Sequence, residues 1–133
     1  MTAIYQSRER ANEAAERLKI YAQPQRLMIL SFLLAGERTV GEIETATAIG
    51  QPALSQQLAE LRRAELVETR RAAKQIFYKL ADARVALCVR CVEAIFEGAG
   101  DPEAALAEAL RGPSARSEPR SRAGAASFAK IMP

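Results

Sequence analysis

The sequence predicts a mainly α fold with one small β-hairpin, and three observations carry that prediction. Apolar residues recur every three or four positions through most of residues 7–64 and again from Val85 to Phe96, the period of helices with one buried face. Proline and glycine at Pro24, Gly36, Gly50 and Pro52 divide the first stretch into separate short helices. Between the two helical stretches, Ile76, Tyr78 and Leu80 alternate with Phe77 and Lys79, the period of a strand. A chain of 133 residues supports a single hydrophobic core with tails.

The segment from Ser7 to Ala22 is rich in Ala, Glu, Arg and Leu, and it spaces Ala11, Ala15, Leu18 and Ala22 along one helical face. Pro24 suits the first turn of a second helix, on which Leu27, Leu30 and Leu34 share a buried face until Gly36 ends the pattern. Thr39 caps a third helix, and Glu42, three residues later, returns the capping-box hydrogen bond. Thr45 and Thr47 are weak helix formers that keep this helix short, and Gly50 offers the permissive backbone a turn needs. Pro52 then opens a fourth helix running to about Ala64. Leu54, Leu58 and Leu61 on that helix point to one side, while Gln56 and Arg63, flanked by Glu60 and Pro52, occupy the other. Two short helices joined by a tight turn, the second with a small polar first half, meet the requirement of a helix-turn-helix. Any helical hairpin shares this pattern, so the next segment decides more.

Leu66, Val67 and Thr69 lead into Arg70, Arg71 and Lys74, after which the alternating strand begins. A hairpin with a basic connection beside a recognition helix is a wing suited to phosphate or the minor groove. The predicted architecture is therefore a winged helix-turn-helix. Asp82 caps a fifth helix through about Phe96, with Val85, Cys88, Val92 and Ile95 on one apolar stripe and Leu87, Cys91 and Phe96 along its borders. That stripe is broader than a solvated terminal helix needs, so pairing of the first and fifth helices with those of a second copy is expected, making a homodimer through Leu18, Val85, Cys88, Val92 and Ile95. Residues 1–100 are read as one DNA-binding and dimerisation domain. Residues 101–110 form a further short helix, and 111–133 a disordered tail made basic by Arg111, Arg116, Arg120, Arg122 and Lys130 against Glu118. The tail is either a solvated end or a weak non-specific attractor of DNA.

Composition sets the outer bounds. Apolar residues make up 49% of the chain and charged ones 26%, a globular balance. Lys and Arg number 19 against 16 Asp and Glu, for a formal charge of +3, which fits an anionic partner without establishing one. Residues Met1 to Leu18 are charged and lack the apolar centre of a signal peptide, and no run nears the roughly 18 apolar residues of a membrane span. A cytoplasmic protein without a membrane partner is expected. The chain contains no His, no Gly-rich phosphate loop and no carboxylate constellation, so an enzyme is not expected.

Taken in order, PQRLMIL (Pro24–Leu30), TVGEI (Thr39–Ile43), ALSQQLAELRRAELVETRR (Ala53–Arg71) and KQIFYKLAD (Lys74–Asp82) closely resemble the ArsR/SmtB family of bacterial winged-helix repressors. The resemblance covers roughly Ala15 to Phe96. It implies a homodimer whose outer helices join the subunits and whose two recognition helices enter successive major grooves of a palindromic double-stranded operator. Gln51, Ser55, Gln56 and Gln57 fall where the family motif supplies groove and phosphate contacts, a Gln amide being able to donate and accept at an adenine edge. Arg62 and Arg63 follow later in the helix, either as helpers or as ordinary surface charges, and Arg70, Arg71 and Lys74 match the basic wing.

The thiol motif that many metal and arsenic sensors of this family carry on the third helix is absent, since Thr39 to Ile49 holds no Cys. The family's persulfide and oxidant sensors imply thiols near Ser31 and near Phe96 or Glu97, and neither position is Cys here. Cys88 and Cys91 remain as the candidate thiol sensor. No cofactor or metal is required; an effector, if one acts, is an oxidant, a reactive sulfur species or a thiophilic metalloid. The alternative is that both thiols pack at the dimer interface of a constitutive or architectural DNA-binding module.

Overall fold

A computed structural model describes residues 2–97 and 100–111. After a 3-10 turn at Ile4–Gln6, the elements run α1 (Arg8–Tyr21), α2 (Pro24–Phe32), β1 (Arg38–Thr39), α3 (Val40–Thr47), α4 (Ala53–Arg63), β2 (Val67–Ala72), β3 (Gln75–Leu80), α5 (Ala83–Ile95) and α6 (Pro102–Leu110). The chain divides into two units between Val89 and Arg90, within α5.

Local chemistry explains most helix ends. The Ser7 hydroxyl accepts from the Arg10 N–H at the start of α1. Pro24 sits in the first turn of α2, where its missing N–H costs nothing, and Gln23 Oε1 accepts from the Arg26 N–H. Thr39 and Glu42 form the expected capping box at α3: the Glu42 N–H donates to Thr39 Oγ1 at 3.2 Å and the Thr39 N–H to Glu42 Oε1 at 2.8 Å. Helix α3 closes on Ala48, which is left-handed at φ 60°. Sequence pattern places the permissive residue of this turn at Gly50, but the left-handed step falls earlier, where buried Thr47 fixes the chain. The Thr47 hydroxyl donates to the Ile43 carbonyl at 2.7 Å and accepts from the Ile49 N–H at 3.3 Å. Helix α4 ends with Glu65 left-handed, the Leu66 N–H donating to Leu61 O and the Glu65 N–H to Arg62 O. Leu61 and Leu66 are both buried, the hydrophobic contact such a cap favours.

The sheet is the main departure from expectation. Sequence pattern predicts a two-stranded wing, whereas the structure has three antiparallel strands in the order β1-β3-β2. Arg38 pairs with Tyr78 and Thr39 with Phe77, so the residue that caps α3 is also pinned to the wing's inner strand. Strand β2 pairs with β3 from Val67 opposite Leu80 to Ala72 opposite Gln75. Ala73 and Lys74 connect them with φ of 52° and 67°, the doubly left-handed geometry that matches strand twist in a two-residue hairpin.

Leu30, Leu33, Ile43, Leu54, Leu58, Leu61, Leu66, Val67, Val85 and Val89 belong to one core cluster of the first unit. Each fully buried aliphatic side chain there contributes about 1.5–3 kcal/mol, which locks α2, α3 and α4 around a common centre. Val85 was expected at a subunit interface; it is 5% exposed and part of this chain's own core, because α5 turns Val85 and Val89, one helical turn apart, inward. In the second unit, Asp101 Oδ1 accepts from the Glu103 N–H to cap α6. The expected tail from 112 onward lies outside the described residues.

Candidate nucleic-acid interface

Helix α4 has two unlike faces. Leu54, Leu58 and Leu61 enter the core, while Ser55, Gln56, Ala59, Arg62 and Arg63 are exposed. Between this outer face and the wing lies a groove of 450 Å³, lined by Ser55, Ala59, Arg62 and Arg63 on α4, Val40 on α3 and Tyr78 on β3. The 3.6-residue period of α4 and the alternation of β3 thus turn polar residues from distant segments toward one concavity.

The expected contact residues divide by what already holds them. Gln51 Oε1 accepts from both the Ser55 N–H, at 3.2 Å, and the Ser55 hydroxyl, at 2.6 Å, bracing the first turn of α4. Gln56 is exposed and its side chain makes no hydrogen bond among the described residues, which leaves donor and acceptor free for a base edge. Gln57 is different: it is half-buried, and its amide is engaged by Arg26 at 2.7 Å and Gln25 at 3.3 Å. Arg63 bonds Glu60 at 2.6 Å on the exposed surface, whereas Arg62 makes no ion pair among the described residues.

On the wing, Arg70 is bound by Glu37, with Nε 2.9 Å from both carboxylate oxygens and Nη2 2.8 Å from Oε1. Its guanidinium also lies 4.7 Å from the centroid of the Phe77 ring across the strand pair. The hydrogen bond from Arg70 holds the Glu37 carboxyl below the usual carboxylate range, and Glu37 in turn pushes the Arg70 guanidinium up. Arg71 and Lys74 are exposed and form no ion pair among the described residues. Of the three wing cations, these two present uncommitted charge. Glu37 and Arg26 escape sequence reading, since each meets a partner more than thirty residues away.

The two thiols form no disulfide with each other. Cys88 and Cys91 are both half-buried. Cys88 packs against the core, beside Tyr21, whose hydroxyl is pushed up to about 12 first by burial and then by the Cys88 thiol. Among the described residues no group of three or more His, Cys, Asp or Glu is placed to hold a metal ion. Of the expected interface residues, Leu18 on α1 is 56% exposed and Ile95 on α5 is 66% exposed, while Val92 is half-buried. No helix among the described residues is long and apolar enough to cross a membrane.

Comparison with known proteins converges on one family. Residues 23–69, from the cap of α2 into β2, match the model of the bacterial regulatory protein, arsR family. The chain is 51% identical over 88 residues to the biofilm growth-associated repressor of Xylella fastidiosa (strain Temecula1), spanning 66% of this chain and 77% of that protein. The crystal structure of the transcriptional repressor BigR from Xylella fastidiosa superposes with a TM-score of 0.66 at 47% identity, covering 71% of this chain and 97% of that one. A homodimeric winged helix-turn-helix DNA-binding domain from Mycobacterium bovis, solved in solution, gives a TM-score of 0.60 at 33% identity over 68% of this chain and 87% of its own. With the helix-turn-helix, the wing and these likenesses all in register, the chain belongs to the arsR family of bacterial regulatory proteins.

Proposed function

We propose that this chain is a transcriptional repressor that binds a palindromic double-stranded operator as a homodimer, in the cytoplasm and without a catalytic step. The observation that carries the reading is the divided surface of α4, core on one side and Ser55, Gln56, Arg62 and Arg63 on the other. Helix α4 enters the major groove, Gln56 reads a base edge, and Arg71 and Lys74 on the wing neutralise flanking phosphates. Exposed Leu18, Leu87, Ile95 and Phe96 support pairing with a second copy, and the homodimeric relative from Mycobacterium bovis supports the same stoichiometry. The naming of the Xylella fastidiosa relative as a repressor supports the sign of the regulation.

Release from the operator is assigned to chemistry at Cys88 and Cys91, by an oxidant, a reactive sulfur species or a thiophilic metalloid that changes how α5 packs. The packing of Cys88 against the core favours a second reading, in which both thiols are structural and binding is constitutive. One experiment tests both levels. Duplexes enriched by the wild-type chain from a random pool should contain inverted repeats, bind one dimer in sedimentation, and shut off a reporter when placed at its promoter. Activation of the reporter would reverse the sign. The fully reduced protein and the C88S/C91S variant are then compared with and without peroxide, polysulfide and As(III): release lost only in the variant supports sensing, and equal binding throughout supports structural thiols.

A further inference from the structure

The expected DNA contact at Gln57 and the cationic Arg26 meet in a half-buried contact between α2 and α4. Resting on the recognition-helix reading above, we propose that Arg26 and Gln57 form a strut that sets the pose of α4, making Arg26 a positioning residue for operator recognition and removing Gln57 from base readout. Arg26 Nε donates to Gln57 Oε1 at 2.7 Å, and Arg26 Nη1 donates to the Ile20 carbonyl at 3.4 Å. Gln57 Nε2 donates to Gln25 Oε1 at 3.3 Å, while the Arg26 N–H is held by Gln23 Oε1 at 2.9 Å. The last turn of α1, the first turn of α2 and the middle of α4 are thereby joined through one guanidinium.

Three physical points make this a strut. The guanidinium is a rigid planar fork, so donors in two directions fix two elements at a set angle, which an ammonium on a flexible stem does not do. Arg26, Gln25 and Gln57 are all half-buried, so water competes less for these bonds, and the bond from a charged donor is the strongest of the set. Finally, bidentate readout of adenine needs a free acceptor and a free donor on one amide, and Gln57 has committed its oxygen to Arg26 and a proton to Gln25. Ser55 and Gln56 lie within two residues of Gln57 on the outer side of α4. Recognition geometry tolerates errors of only about 0.5 Å, so loosening the inner side of the helix misplaces the outer one.

The test uses full-length protein and a duplex enriched by the wild-type chain from a random pool, with a scrambled duplex alongside, across a salt series. Q57A and R26A should each weaken the enriched duplex by about tenfold, the range of a charge-assisted hydrogen bond. Both should leave the scrambled duplex within about twofold, and R26A/Q57A should lose no more than the worse single variant, the signature of one shared interaction. Q57E keeps the acceptor for Arg26 and should bind within about threefold of wild type. Loss in Q57E deeper than in Q57A would place this side chain against base edges or phosphates and overturn the proposal. A salt slope shallower by about 0.9 in R26A would make Arg26 a phosphate ligand and overturn it equally. Thermal unfolding monitors each variant, and if R26A does not fold, the Q57A and Q57E pair decides. A wild-type chain that enriches no duplex overturns the DNA-binding reading and the strut with it, whereas enrichment followed by loss in Q57E overturns the strut alone.

Discussion

Helix α4 and the β2–β3 hairpin border the same groove, yet α4 buries Leu54, Leu58 and Leu61 in the core while the hairpin beyond Val67 leaves Arg70, Arg71, Lys74, Gln75 and Ile76 exposed. On its inner side, Gln57 accepts a hydrogen bond from Arg26 and donates one to Gln25, which further fixes the helix. The hairpin's tether to the connection before β1 is an ion pair, Glu37 with Arg70, in contact with solvent. Shape is therefore set at the helix by burial, and at the wing by strand pairing and a packed base of Val67, Tyr78 and Leu80, with an exposed ion pair added beyond it. A helix fixed by burial suits base readout, which demands position; a wing whose outer part is solvent-exposed suits phosphate contact, which tolerates adjustment.

The largest expected effect tests burial directly. Leu58→Ala, at a site 2% exposed, should cost about 2–5 kcal/mol in urea unfolding, whereas Ile76→Ala on the exposed wing should cost less than about 1 kcal/mol. Equal losses would break the contrast between the two regions. Next in size, Gln56→Ala should lower discrimination between the enriched duplex and its point variants by about 1–3 kcal/mol, with the ranking of bases changed at one position per half-site. A uniform loss on every duplex would move Gln56 from readout to general contact.

Wing substitutions should show the opposite signature. Arg71→Ala and Lys74→Ala should each weaken all duplexes alike and flatten the dependence of log affinity on log salt by about 0.9. An unchanged slope in the double variant would remove the wing from the DNA. Glu37→Gln gives the smallest effect, read by hydrogen exchange of the β2 amides. Because the folded-state pKa of Glu37 lies below its unfolded value, the stabilisation from its pair with Arg70 is present above the ordinary carboxylate range and is lost as pH falls through that depressed pKa. Wild-type β2 protection, corrected for intrinsic exchange, should fall over that acidic window, and the Gln variant should lack the transition. Identical pH profiles would mean the ion pair does not hold the wing.

Much of this molecule is determined by the sequence alone, because the relevant interactions are local. The Thr39–Glu42 capping box, the Pro24 start of α2, the two faces of α4 and the position of the β2–β3 hairpin each depend on residues within a turn or two of one another. Periodicity also marks the exposed polar set on α4. Only the tertiary structure decided which of those polar residues remain available. Gln56 and Gln57 are adjacent and chemically identical, but one faces out while the other meets Arg26 of α2 in a half-buried contact, and a period shared by neighbours carries no record of a partner on another helix. The same holds for Arg70 and Arg71, separated in role by Glu37, and for the pairing of Arg38 with Tyr78 that adds a strand to the wing. Val85 belongs to this class as well: its place on an apolar stripe is plain from spacing, but only the packing of residues 83–89 within the first unit puts it in this chain's own core. Local hydrogen-bond and steric preferences fix elements; long-range packing chooses the partners, and in this protein it chooses which side chains are left to act.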